Sequence, residues 1–192
     1  MKSKNLLLLL AGFFVMLMIG AGILYSSLTA SVRPETATIT SPPSKQPAPE
    51  EEAVVPAPDF TVYDGEQNPV KLSQYSGKPI VLNFWASWCG PCQMEMPHFE
   101  QAYLDLGEDI QFLMVNMTSG RETLKSAQDF LAETGYTFPV LFDLDLDAAY
   151  TYGAYSLPMT VFIDTQGNVQ DVAIGAIDEA TLLSKIALIY TE

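Results

Sequence analysis

The chain has 192 residues, 48% of them hydrophobic, and 23 acids against nine lysines and arginines give it a formal net charge of −14. Such an acidic protein repels phosphate backbones and anionic headgroups, which sets aside nucleic acid as a partner. Two cysteines and one histidine leave zinc short of the four ligands that a structural site takes.

Lys2 and Lys4 precede an apolar run from Leu6 to Leu24. A secretory h-region is about 7–15 residues long, whereas a spanning helix needs roughly 17–25. The run falls in the second range and is apolar on all faces, so residues 1–30 read as an uncleaved signal-anchor, a single transmembrane helix. A cleaved signal peptide is the competing reading, but its best site, Leu28-Thr29-Ala30, carries leucine where a small residue belongs. The lysines hold the N-terminus in the cytoplasm, and Arg33 is the lone base closely following the run. The rest of the chain is therefore expected on the extracytoplasmic side of the cell membrane, where disulfides persist.

Residues 31–58 hold seven prolines, with Ser, Thr and Ala and the acidic run Glu50-Glu51-Glu52. No helical or strand period survives there, and the segment reads as a disordered, semi-extended stalk. Residues 59–192 are globular in composition and long enough for one domain with a single core.

In that domain, Asp59 to Tyr63 looks like a short strand, turned by Asp64-Gly65, with Val70-Lys71-Leu72 as its return. Ile80 to Trp85 is a nearly continuous apolar run, the pattern of a strand buried on both faces. A helix is expected from Cys92 to Leu106, kinked at Pro97 and stopped at Gly107. A second buried strand covers Ile110 to Val115, and a helix covers Thr123 to Thr134 before Gly135. Phe138 to Phe142 is a strand and Leu146 to Tyr152 a short helix. Strands at Met159 to Asp164 and Val169 to Ile174 flank the hairpin signal Thr165-Gln166-Gly167-Asn168. Asp178 caps a last helix whose apolar face carries Leu182, Leu183, Ile186 and Ile189. The order implies a three-layer α/β domain with a mixed central β-sheet flanked by helices. Asp143 to Asp147 imitates the start of a calcium loop, but Ala148 and Ala154 stand where glycine and glutamate belong, so a helix cap is the better reading.

Both cysteines fall in Trp85-Ala86-Ser87-Trp88-Cys89-Gly90-Pro91-Cys92. A loop this short gains little from a structural staple. With Cys89 just before a helix and Cys92 in its first turn, both sulfurs share one face within bonding reach. Unpaired N–H groups at the helix N-terminus would stabilise a Cys89 thiolate. Pro91 suits the first helical position, Gly90 adds no bulk beside the sulfur, and Trp85 and Trp88 are either an apolar wall for it or core. Pro158 enters a strand directly, which asks for special geometry: a cis bond, or an ordinary trans turn. His98 reads as a helix-surface side chain.

The segments PDF at 58–60, LSQYSGKP at 72–79, VLNFWASWCGPC at 81–92, Glu95-x-Pro97, FPVLFD at 138–143, YGAYSLPMTVFID at 152–164 and G-x-V at 167–169 carry a resemblance. Residues 59–192 are similar throughout to the TlpA/ResA-like membrane-anchored thiol–disulfide oxidoreductases, thioredoxin-fold proteins related to the AhpC/TSA redoxin group. The resemblance implies a thioredoxin-like fold, a redox-active Cys89–Cys92 disulfide and no other cofactor. It implies Cys89 as nucleophile, Cys92 as resolving thiol, and a cis Pro158 that helps dock substrate with backbone bonds from Leu157. Trp88, Gly90 and Pro91 would complete the substrate-binding surface. Asn83 stands where cytoplasmic thioredoxins have a buried aspartate, and Glu95 matches a glutamate of the extracytoplasmic relatives that would exchange the Cys92 proton. Met159 departs from the threonine common after that proline. The implied partners are extracytoplasmic protein disulfides and an integral-membrane thiol electron donor, with cytochrome c maturation as one role. Two other functions stay open. A thiol peroxidase would need a Thr-x-x-Cys and a placed arginine, which neither Arg33 nor Arg121 obviously is. A tethered metal-binding module would have no need of the WCGPC reactivity.

Overall fold

The computed structural model describes residues 16–19 and 55–191. Residues 16–19 are helical with exposed side chains. The remainder of the expected membrane helix, and residues 31–54 of the expected stalk, lie outside the described residues. Among the described residues no helix is long and apolar enough to cross a membrane.

The folded part runs β1 (Thr61–Tyr63), β2 (Pro69–Lys71), a 3-10 turn (Leu72–Tyr75), β3 (Ile80–Trp85), α1 (Gly90–Leu106), β4 (Gln111–Asn116), α2 (Leu124–Thr134), β5 (Val140–Phe142), α3 (Asp147–Tyr152), β6 (Met159–Ile163), β7 (Val169–Ile174) and α4 (Glu179–Ile186). The seven strands form one sheet in the order β2-β1-β5-β4-β3-β6-β7. β3 pairs parallel with β4 and antiparallel with β6, so the sheet is mixed.

All six residues of β3 are buried, as a strand covered on both faces requires. Its side chains alternate between two cores. Val81 and Trp85 join Phe112, Met114 and Phe162 under α1, α2 and α4, where Met96, Phe99, Ala127, Leu182 and Ile186 meet them. Ile80, Leu82 and Phe84 join Leu113, Val115 and Val161 under α3 and the 3-10 turn, with Ala148, Ala149 and Leu72. Each large apolar side chain removed from water in this way contributes about 1.5–3 kcal/mol. This parity also fixes where polar side chains go. Asn83, between Val81 and Trp85, projects toward α1, and Thr160, its direct cross-strand partner on β6, projects to the same side.

Two differences from the sequence reading have physical causes. α1 starts at Gly90 rather than Cys92, because the Cys89 sulfur accepts the Cys92 N–H and so caps the helix with an atom that is rarely a cap. As the sequence reading has it, α1 runs on past Pro97 to Leu106, and the missing N–H there leaves the Gln93 carbonyl without its helical donor. α4 ends at Ile186, yet Ile189 is buried, carried back by turn bonds from Leu188 and Ile189 to Lys185 and Ile186. At the start of the domain, Ala57 donates to the Gly167 carbonyl (2.9 Å) and Val169 to that of Val55 (2.8 Å), so residues 55–57 lie along the β6–β7 turn.

Asp143 is fully buried and caps α3, accepting from the N–H groups of Ala148 (3.2 Å) and Ala149 (2.8 Å). Asp143→Ala strands both donors in the core and is expected to cost about 2 kcal/mol. Urea unfolding of the variant should show a lower midpoint with an unchanged slope.

Candidate active site

β3 runs directly into the cysteine loop. The Cys89 N–H donates to the Ala86 carbonyl (3.1 Å), closing a turn that delivers Cys89 to the N-cap of α1. Cys89 and Cys92 are joined in a disulfide with Cα atoms 5.2 Å apart, and the Cys92 N–H points at the Cys89 sulfur (3.2 Å). Pro91 occupies the first turn, and a Cβ built on Gly90 would meet nothing within 4 Å. Glycine is thus not demanded by packing there, and the space lies open beside the sulfurs.

The two sulfurs are not equivalent. Cys89 lines a groove of about 530 Å³ together with Trp88, Gly90, Pro91, Leu157 and Tyr155, and with Met117, Ser119, Gly120, Arg121 and Leu146. Cys92 is wholly buried. The Leu157–Pro158 peptide bond is cis, which decides the alternative left by the sequence. Leu157 faces the groove, while Pro158 is buried and its carbonyl accepts from Gly175 (2.8 Å). Met159 packs into the second core, so the departure at that position fills the interior. Trp85 is core and Trp88 is groove wall, 45% exposed, so the two tryptophans divide the roles that the sequence left undivided.

One helical turn beyond Cys92, Glu95 is 1% exposed. Asn83 Nδ2 donates to its Oε1 (2.8 Å) and to Thr160 Oγ1 (3.0 Å), and the Ile177 N–H donates to its Oε2 (3.0 Å). Burial raises the Glu95 carboxyl from its ordinary value of 4.5 to about 7, and the bonds from Ile177 and Asn83 oppose the rise without cancelling it. Glu95 is thus a core residue and not a solvated acid on the helix surface.

Two groups escaped the sequence reading. Glu122 is buried, accepting from the Ser87 N–H (3.2 Å), the Ser87 hydroxyl (2.8 Å) and Asn116 Nδ2 (3.2 Å), which ties the β4–α2 loop to the cysteine loop. The guanidinium of Arg121 lies over the Trp88 ring, 3.8 Å from its centroid. Contacts across more than thirty residues between two loops have no periodic signature, so only the position of Arg121 after Gly120 was visible. Arg121 meets one demand of the peroxidase reading, but Ala86 stands where its threonine would be. Among the described residues no group of three or more His, Cys, Asp or Glu side chains could hold a metal ion.

The sequence profile of the AhpC/TSA family matches residues 54–172. The chain is 35% identical over 120 residues to the thiol–disulfide oxidoreductase ResA of Geobacillus thermodenitrificans, covering 62% of this chain and 67% of that one. A candidate thiol:disulfide interchange protein DsbE from Chlorobium tepidum superposes with a TM-score of 0.64 at 32% identity, covering 71% of this chain and 97% of that one. The pneumococcal exposed lipoprotein thioredoxin Etrx1 of Streptococcus pneumoniae superposes with a TM-score of 0.58 at 28% identity, over 68% of this chain and 98% of that one.

Because the folded-state value for Glu95 is raised, the protonated carboxyl adds stability that is complete below about 4.5 and is lost as pH rises through about 7. The neutral amide of Glu95→Gln does not lose it. In the oxidised protein, the melting temperatures of wild type and Glu95→Gln should run parallel at pH 4, and the variant should gain steadily on wild type between pH 4.5 and 7.5.

Proposed function

The chain belongs to the AhpC/TSA family and is a thiol–disulfide oxidoreductase, and from that premise we propose that it reduces disulfides of extracytoplasmic proteins. The observation that carries this reading is the asymmetry of the pair: Cys89, 4% exposed, lines a groove, and Cys92 does not and is wholly buried, one helical turn from a carboxyl raised to about 7.

In the reduced enzyme the N-terminus of α1 favours the Cys89 thiolate. That thiolate attacks one sulfur of the substrate disulfide, and the other leaves as a thiolate and takes a proton from water. The enzyme and substrate are then joined through Cys89. Glu95 accepts the Cys92 proton, and the Cys92 thiolate attacks the Cys89 sulfur. The second substrate thiolate departs, two electrons have passed to the substrate, and the Cys89–Cys92 bond is restored. A carboxyl near 7 can both take and return a proton at neutral pH. Asn83 suits both of its states: its Nδ2 donates to the carboxylate, and a half-turn of the amide would present Oδ1, which has no partner here, to the acid. Trp88, Gly90, Pro91 and Leu157 form the surface against which an extended substrate segment lies, beside the cis Pro158.

The setting follows from the N-terminal sequence. Lys2 and Lys4 ahead of the Leu6–Leu24 run support an anchor in the cell membrane with the catalytic domain outside, on a stalk that ends ahead of Val55, where the chain joins the β6–β7 turn. The likeness to an exposed lipoprotein thioredoxin supports the same side. Re-reduction there calls for an integral-membrane thiol donor, and cytochrome c maturation is one role that fits.

The direction of electron flow is tested by the equilibrium reduction potential of Cys89–Cys92. A value near or below roughly −250 mV is expected; roughly −120 to −180 mV would make the protein an oxidant and overturn the reading. Cys89→Ser should abolish reduction of a protein disulfide. Cys92→Ser should instead accumulate a mixed disulfide through Cys89, visible as a thiol-sensitive band of added mass on a non-reducing gel.

A further inference from the structure

The charge of the folded part is distributed in a way that the oxidoreductase reading does not use. Residues 59–192 carry nineteen acids and five bases, yet none of the residues lining the groove beside Cys89 is acidic, and one is a base. That base is Arg121. The other four are engaged elsewhere: Lys125 with Asp129, Lys185 with Asp171, Lys78 with the Glu108 carbonyl, and Lys71 in the field of Asp59. Among the described residues no carboxylate pairs with Arg121, whose guanidinium is held instead over the Trp88 ring.

The loop that carries it is fixed. The adjacent Glu122 is buried and bonded to Ser87 and Asn116, and the Met117 N–H donates to the Trp85 carbonyl (2.9 Å). A stacked guanidinium keeps its edge N–H donors free for a planar anion, and its position beside the residue preceding Cys89 places them at the mouth of the reacting groove. Stacking over an exposed ring contributes only about 0.5–1 kcal/mol, so it orients the side chain without locking it against a ligand.

We infer that Arg121 is a specificity-determining residue that selects disulfides flanked by a carboxylate, so that the preferred substrates are proteins with an acidic residue beside the reacting cystine. The inference rests on the reductase reading of the same groove. The net charge of −14 repels such substrates at a distance, but physiological salt screens that repulsion beyond about 8 Å. Within the groove the one charged lining side chain is Arg121, while the neighbouring Glu122 carboxylate is buried with its oxygens bonded to Ser87 and Asn116. Arg121 takes no part in the electron transfer, which remains attack by Cys89 and resolution by Cys92.

The test uses the full-length chain in neutral detergent, pre-reduced and freed of reductant, mixed in single-turnover experiments with three peptide disulfides. The peptides differ only in bearing Asp, Asn or Lys next to one cysteine. For wild type, the second-order rate constant should be about fivefold higher for the Asp than for the Asn peptide. That ratio should fall toward one in 0.5 M salt and in Arg121→Gln, persist in Arg121→Lys, and invert in favour of the Lys peptide in Arg121→Glu. A residue that merely props Trp88 would slow all three peptides alike in Arg121→Gln and leave the ratio unchanged. Equal wild-type rates for Asp and Asn peptides, or a ratio that survives Arg121→Gln, would overturn the inference while leaving the reductase reading in place. Failure of wild type to reduce any of the three would instead remove that reading, and this inference with it.

Discussion

The N–H of Cys92 lies 3.2 Å from the Cys89 sulfur, and behind it stands the positive end of α1. Most of the domain can be understood as what is needed to keep that one meeting in place. β3 supplies a rigid approach, because a strand buried on both faces and paired on both edges cannot shift without opening two cores. The bond from Cys89 to Ala86 fixes the turn, Gln93 reaches back to the Ser87 carbonyl, and Glu122 holds Ser87 from the opposite loop. The reactive sulfur therefore sits at the end of a strand, with its position set by hydrogen bonds on three sides, rather than on a free loop.

A second consequence of β3 is the polar spot inside the helical core. Period-two alternation sends Asn83 to the same face as Val81 and Trp85, and antiparallel pairing sets Thr160 opposite it. α1 lays Glu95 over the two of them. A carboxylate there without partners would be far too costly to bury, and one with many strong donors would be permanently ionised. Two donors on its oxygens leave it between those limits, which is the condition for a proton that moves near neutral pH. The buried acid of this core thus sits on the helix, and the strand residue Asn83 supplies one of its hydrogen bonds.

Much of this was legible in the sequence where a single residue type or a short period carries the information. The apolar run of β3 gave both its ends, the turn Thr165 to Asn168 located the hairpin, and Asp178 marked the start of α4. The cysteine spacing with Pro91 and Gly90 marked the pair that the structure joins in a disulfide at the N-terminus of α1. The apolar pattern starts α1 at Cys92, two residues late, whereas the cysteine spacing, with Cys89 just ahead of the helix and Cys92 in its first turn, agrees with the observed start at Gly90. β5 was drawn too long because Phe138 is buried like a strand residue but pairs with nothing; Thr137 and Phe138 spend their N–H groups on Glu100 of α1 instead. What could not be read was the meeting of loops. Glu122 with Ser87, Arg121 with Trp88 and Ile177 with Glu95 join segments separated by 33 to 82 residues, and their geometry depends on the whole sheet order rather than on any local pattern.

The lie of residues 55–57 along the β6–β7 turn has a mechanical meaning. β6 has its Met159 end beside Pro158 and the cysteines and its Ile163 end at that turn, so the two are separated by the length of a five-residue strand, about 17 Å. Any pull on the chain ahead of Val55 is received at the far end of the sheet. It loads the Ala57–Gly167 and Val55–Val169 bonds along the hairpin and is spread through β6 into β3 and β7 before it reaches the groove. Force entering at residues 55–57 thus meets the sheet at the end opposite the cysteines, and must cross β6 and its neighbours before it reaches the sulfurs.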